Sequence, residues 1–173
     1  KRQEYRIFTL KNGLECIIIS DSTTEKAACS MDVHIGHYCD PNNIAGLAHF
    51  CEHMLFLGTK KYPNESEYDQ FIKNHGGSNN ASTTSHHTNY DFDIDSNYLK
   101  NALDRFSQFF ICPLFTESAT NRELNAVHSE HCNNIQDDYC RIFQMDKLQS
   151  ISTHPWYKFD TGNIDTLKKN IEI

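Results

Sequence analysis

Between Tyr90 and Asp95 the chain alternates strictly, with Tyr90, Phe92 and Ile94 on one parity and Asp91, Asp93 and Asp95 on the other. A period of two predicts a half-buried strand, and "NNASTTS" just before it reads as another. Nearer the start, "EYRIFTL" and "LECIIIS" flank Lys11-Asn12-Gly13, so residues 4 to 19 predict a β-hairpin, and "AACSMDVHI" (27 to 35) predicts a third strand. Elsewhere the apolar period lengthens to that of a helix. One helix is expected from about Ile44 to Leu57, ended by Gly58, and a second follows an N-cap at Asn64 with Glu67 and stops at Gly76-Gly77. A third runs from Leu99 to Phe110 and halts before Pro113, and a long one spans about Glu117 to Arg141. Strands and helices in this order predict an α+β, two-layer domain with helices packed on a largely antiparallel sheet.

The helix at 44 to 57 breaks its own pattern. It is among the most apolar stretches of the chain, yet it carries His49, Glu52 and His53 within an arc of roughly 100°. Burying three ionisable groups costs several kcal/mol unless each has a partner, and a divalent cation is such a partner. Two imidazoles at i and i+4 can both reach one Zn²⁺ at about 2.0–2.1 Å. The carboxylate between them then stands beside the metal, where a general base takes a proton from an activated water. The order His-x-x-Glu-His is a catalytic motif in its own right. A hydrolytic zinc site needs a third protein ligand, and "NRELNAVHSEH" offers Glu123, Glu130, His128 and His131. Glu123 and Glu130 share a face two turns apart, so either carboxylate suits the metal and the other suits a ligand imidazole. Spacing alone does not rank the four.

Composition narrows the setting. The chain has 173 residues, one domain's worth, and is 38% hydrophobic and 12% aromatic, which is globular. A net charge of −7 without any Lys/Arg cluster argues against a nucleic-acid partner. Seven cysteines, an odd number with no Cys-x-x-Cys pair, point to reduced, mostly buried thiols in a cytoplasmic setting. No signal peptide or membrane-crossing run is visible, so no membrane association is expected. A start without Met and an end "LKKNIEI" read as a piece cut from a longer protein at both ends.

Four segments, "GLAHFCEHMLFLGTKKYP", "HGGSNNAST", "ALDRFSQFFICPLF" and "RELNAVHSEH", together resemble the pitrilysin family of inverzincin metallopeptidases. The similarity runs from about residue 5 to "HPWYKFDTGNIDTL", and Glu130 follows His53 by 77 residues, which is the family's spacing. The resemblance implies that 1–173 is a single N-terminal zinc metallopeptidase domain, with His49, His53 and Glu130 as zinc ligands and Glu52 as catalytic base. It gives Glu123 a supporting role beside the site and leaves His128 and His131 as bystanders. It also makes the strand around Asn80 and Ala81 an edge that pairs with peptide substrate, a mode consistent with β-augmentation. Insulin-type, short or partly folded peptides are the implied substrates. A C-terminal half absent here, supplying an Arg and a Tyr to the reaction, and a homodimer are the implied partners. Peroxisomal or extracellular pools stay open beside the cytoplasm. The competing reading is a truncated or non-catalytic zinc- and peptide-binding module. Glu52 argues for the enzyme, because in the family this residue binds no metal and serves only the chemistry.

Overall fold

A computed structural model describes residues 3–168, so the expectation about the chain's ends falls largely outside it. Strands β1 (Glu4–Thr9) and β2 (Glu15–Ser20) form the expected antiparallel hairpin. Strands β3 (Lys26–Val33), β4 (Ser78–Thr83) and β5 (Thr88–Asp95) form a separate antiparallel sheet in the order β3-β5-β4. The single sheet anticipated from the pattern is therefore two, because β1 and β2 pair only with each other among the described residues. In the three-stranded sheet the alternating strand is the centre: Tyr90, Phe92 and Ile94 of β5 are buried. That leaves β4, with Asn80 and Ala81, on an edge.

Among the described residues six α-helices complete the fold: α1 (Leu47–Leu55), α2 (Glu67–Asn74), α3 (Leu99–Ile111), α4 (Glu117–Asn134), α5 (Asp138–Leu148) and α6 (Ile164–Leu167). Two helix boundaries differ from expectation. The long helix to Arg141 is two, because Asp137 accepts a hydrogen bond from the Cys140 N–H and starts a new helix as an N-cap. Asn64 does not cap α2. Its side chain takes hydrogen bonds from the Ser66 backbone and hydroxyl, forming a turn before the helix, while Glu67 pairs with Arg105.

Two apolar clusters hold the layers together, and α1 joins them. Leu55 packs with Tyr68 and Ile72 of α2, Phe106 and Phe109 of α3, and the inner face of β5. On its other side Phe50 and Met54 pack with Leu124 and Val127 of α4 and Leu167 of α6. A rod gripped on two flanks presents its remaining face in a fixed direction, and His49 and His53 lie on that face. None of the seven cysteines is fully buried, which corrects the composition-based reading. Cys39 and Cys51 are exposed, the rest are half-buried, and all are free. Cys51, between the two imidazoles on α1, is among the exposed ones.

Candidate metal centre

The start of α1 is fixed from three directions. Gly46 ends the preceding loop with φ 87° and Gly162 sits against it, also left-handed at φ 79°. A Cβ at Gly46 meets the Gly162 Cα at 2.2 Å, so only glycine permits this backbone contact. The buried Asp40 carboxylate accepts hydrogen bonds from the N–H groups of Gly46 and Ala48, each at 2.8 Å. These two donors are among the orphan amides of the helix end. Burial pushes the Asp40 carboxyl up, while those amides pull it down. Lys158 donates to the carbonyls of Tyr38 and Asp40, tying the late loop to the early one.

On this anchored helix the two imidazoles converge with one carboxylate of α4. His49 Nε2 lies 3.2 Å from His53 Nε2 and 3.7 Å from Glu130 Oε2. His53 Nε2 is 3.5 Å from the same oxygen. Four donors at about 2.0–2.1 Å around a tetrahedral ion are separated by about 3.3 Å, so the three observed edges already match a zinc coordination face. His53 Nδ1 meets Glu123 Oε1 at 2.7 Å, and His49 Nδ1 meets the Thr161 carbonyl at 2.7 Å. Both partners only accept, so both Nδ1 atoms carry hydrogen and each Nε2 is turned towards the centre. Without a cation between them, two nitrogen lone pairs face each other at hydrogen-bond distance.

In the metal-free chain a proton takes that place. The hydrogen bonds to Glu123 and then Glu130 raise His53 to about 9, against desolvation. The same contact with His53 lowers Glu130. The folded pKa lies above the unfolded value near 6.5, so this pair stabilises the fold fully below about 6.5 and loses its contribution as pH rises through about 9. The unfolding midpoint of the metal-free chain is expected to fall across that window. Glu123→Gln should flatten the fall in a chelator-treated urea titration.

Glu52 is buried and its carboxylate reaches β4, where Thr83 Oγ1 donates to its Oε2 at 2.5 Å. The edge strand and the carboxylate are thereby in direct contact. On β4, Ala81 faces the helices with Thr83, whereas Asn80 faces outward. His128 and His131 stay out of the triangle. His131 stacks edge-on against Phe159 at 5.1 Å, and His128 lies against Cys132. An open cleft of about 980 Å³ is lined by His49, Thr83 and Glu130 and, among others, by Tyr139, Phe143 and Met145 of α5. The Thr161 carbonyl was not foreseeable. It is a backbone atom 112 residues from its imidazole, and no side-chain type announces it.

Comparison with known proteins agrees with this geometry. The sequence matches the family described as "Insulinase (Peptidase family M16)" over residues 15–155. It is 56% identical over 167 residues to the insulin-degrading enzyme of Homo sapiens, covering 96% of this chain and 16% of that protein. It is 51% identical over 165 residues to the A-factor-processing enzyme of Saccharomyces cerevisiae, covering 95% and 16%. The crystal structure of pitrilysin superposes with a TM-score of 0.90 at 33% identity, over 96% of this chain and 18% of that one. The chain thus spans about a sixth of the length of these relatives. With an inverted His-x-x-Glu-His helix, a carboxylate closing its triangle and a family match over most of its residues, the chain belongs to the insulinase family of peptidases, family M16.

Proposed function

We propose that this chain is the zinc-binding, catalytic part of a longer metalloendopeptidase that hydrolyses peptide bonds in short or partly folded peptides. The observation that carries the reading is the triangle of His49, His53 and Glu130, with edges of 3.2 to 3.7 Å and both imidazoles oriented from behind. These three residues would hold the zinc. When bound, the ion supplies Lewis-acid activation of a water and of the scissile carbonyl. Glu52 takes a proton from the attacking water and returns it to the departing amine, and Thr83 steadies the carboxylate for both transfers. The free edge of β4, along Asn80 and Ala81, aligns an extended peptide by backbone pairing, which selects conformation more than sequence. The cleft beside it provides room for substrate side chains.

The remainder of a longer protein supplies further contacts to substrate, and residues 1–173 act as one domain within it. No helix among the described residues is long and apolar enough to cross a membrane. We place the protein in the cytoplasm on its seven unpaired cysteines.

Metal content tests the reading. The purified chain is expected to retain about one zinc through gel filtration and to lose it in His49→Ala. Retention of zinc by that variant would remove His49 from the coordination set. Glu123 makes a graded test. Replacing it with Gln weakens the acceptor that orients His53, so zinc affinity should fall by about 10- to 100-fold in a chelator competition.

A further inference from the structure

A second group of metal-competent side chains meets at the far end of the three-stranded sheet. Asp32 lies on the solvent face of β3, and His34, two residues on, projects to the same side. The β3–β5 register pairs Val33 with Thr88, and one step further it sets His34 opposite His87. The side chains converge as the register predicts. His87 Nδ1 is 2.7 Å from Asp32 Oδ1, and His34 Nε2 is 3.6 Å from that same oxygen. The two rings lie 4.7 Å apart, and one donor atom from each residue falls within 4.8 Å of the others.

We propose that Asp32, His34 and His87 form a second, surface site for a transition-metal dication of the zinc class. An ordinary surface His–Asp pair has no use for a second imidazole aimed at the same oxygen. Two imidazoles and a carboxylate suit zinc, copper or nickel better than calcium or magnesium, and three protein donors leave a position for water. The hydrogen bond from His87 keeps the Asp32 carboxyl below its usual range, so the acid is charged near neutrality. An incoming ion takes the place of the Nδ1 proton between nitrogen and oxygen, and the neutral His87 ring shifts to its Nε2–H tautomer.

Two of the three donors stand on fixed backbone. Asp32 lies within the β3 ladder, and Thr84 holds His87 through its own N–H and hydroxyl to the His87 carbonyl. The turn carrying both is docked in its turn by the His37 and Tyr38 amides. Only the exposed His34 ring has to swing in. His86 is not a donor to the group, because its ring packs against Tyr38. The exposed His34 ring gives up its rotamer freedom on binding, so this site is weaker than the helix site. An ion here ties the end of β3 to the β4–β5 turn, next to Thr88, whose hydroxyl lies 3.3 Å from that of Thr83.

Zinc titrated into the zinc-loaded chain after gel filtration is expected to give a further, weaker event of about one ion per chain by calorimetry. The imidazole resonances of His34 and His87 should shift with it. His34→Ala, at an exposed position, and His87→Ala should each abolish the event with the far-UV spectrum unchanged. Absence of the event in the parent chain overturns the proposal, as does its persistence in either variant. In a His49→Ala background the event should remain, which separates this site from failure of the helix site.

Discussion

Replacing Glu52 with Gln is expected to abolish peptide hydrolysis while leaving the zinc in place. The measurement is fluorogenic-peptide turnover and metal content on the longest reading frame that contains the chain. Positioned proton transfer is worth about 10²–10⁴-fold in rate, and here one carboxylate serves both transfers, so the loss should reach at least the upper part of that range. The amide preserves what is structural about the position. Its carbonyl oxygen still accepts from the Thr83 hydroxyl, and the buried site no longer has to accommodate a charge. Fold and metal should therefore survive, and a fall in turnover at constant zinc isolates the proton-transfer role. Equal turnover by the variant would reject Glu52 as the base.

Asp160→Asn is expected to be among the most destabilising single changes outside the triangle. Lys147 has no exposed surface, and its ammonium donates to Asp160 Oδ2 at 2.7 Å. It lies 5.5 Å from the ring centres of both Phe143 and Trp156. The two partners are not equivalent, since the side chain of Asp160 keeps 27% of its surface in water and that of Lys147 keeps none. Removing the carboxylate strands a buried cation, at about 3–5 kcal/mol. Removing the amine in Lys147→Met strands only a carboxylate that water reaches, so it should cost about 1–2 kcal/mol, nearer the exposed-pair range. Urea unfolding of the two variants checks the order. Asp160 also precedes Thr161, whose carbonyl orients His49, so Asp160→Asn should weaken zinc binding as well. The reverse ranking would show that the rings, not the carboxylate, stabilise the ammonium.

The sequence made the local parts of the site readable and left the long-range parts hidden. His49, Glu52 and His53 share a helix, so their convergence follows from helical geometry alone. Glu123 and Glu130 were recognisable as one face of a second helix, but packing α1 against α4 is a tertiary fact, and only the family resemblance chose Glu130. The strand at Tyr90 to Asp95 was legible because it is central, with one face buried and one wet. The hairpin was legible as a hairpin, yet its separation from the larger sheet was not, because pairing between distant strands leaves no local mark. The break at Asp137 was written in the chain, with two asparagines and an aspartate in five residues, but apolar periodicity running across it masked the signal. The burial of Lys147 had no signal at all. Lysine is expected at the surface, and its partner becomes visible only once the 155–162 loop folds back.

The left-handed contact between Gly46 and Gly162 bears on how such a protein is made. On a ribosome the segment bearing His49 and His53 emerges more than a hundred residues ahead of the peptide unit that locks its first turn. Until that later piece arrives, one imidazole lacks its orienting carbonyl, and the nascent chain offers metal an unfinished cradle. On the proposed reading, loading of the ion is expected to await translation through residue 162, and a ribosome-stalled product ending before it should capture zinc poorly.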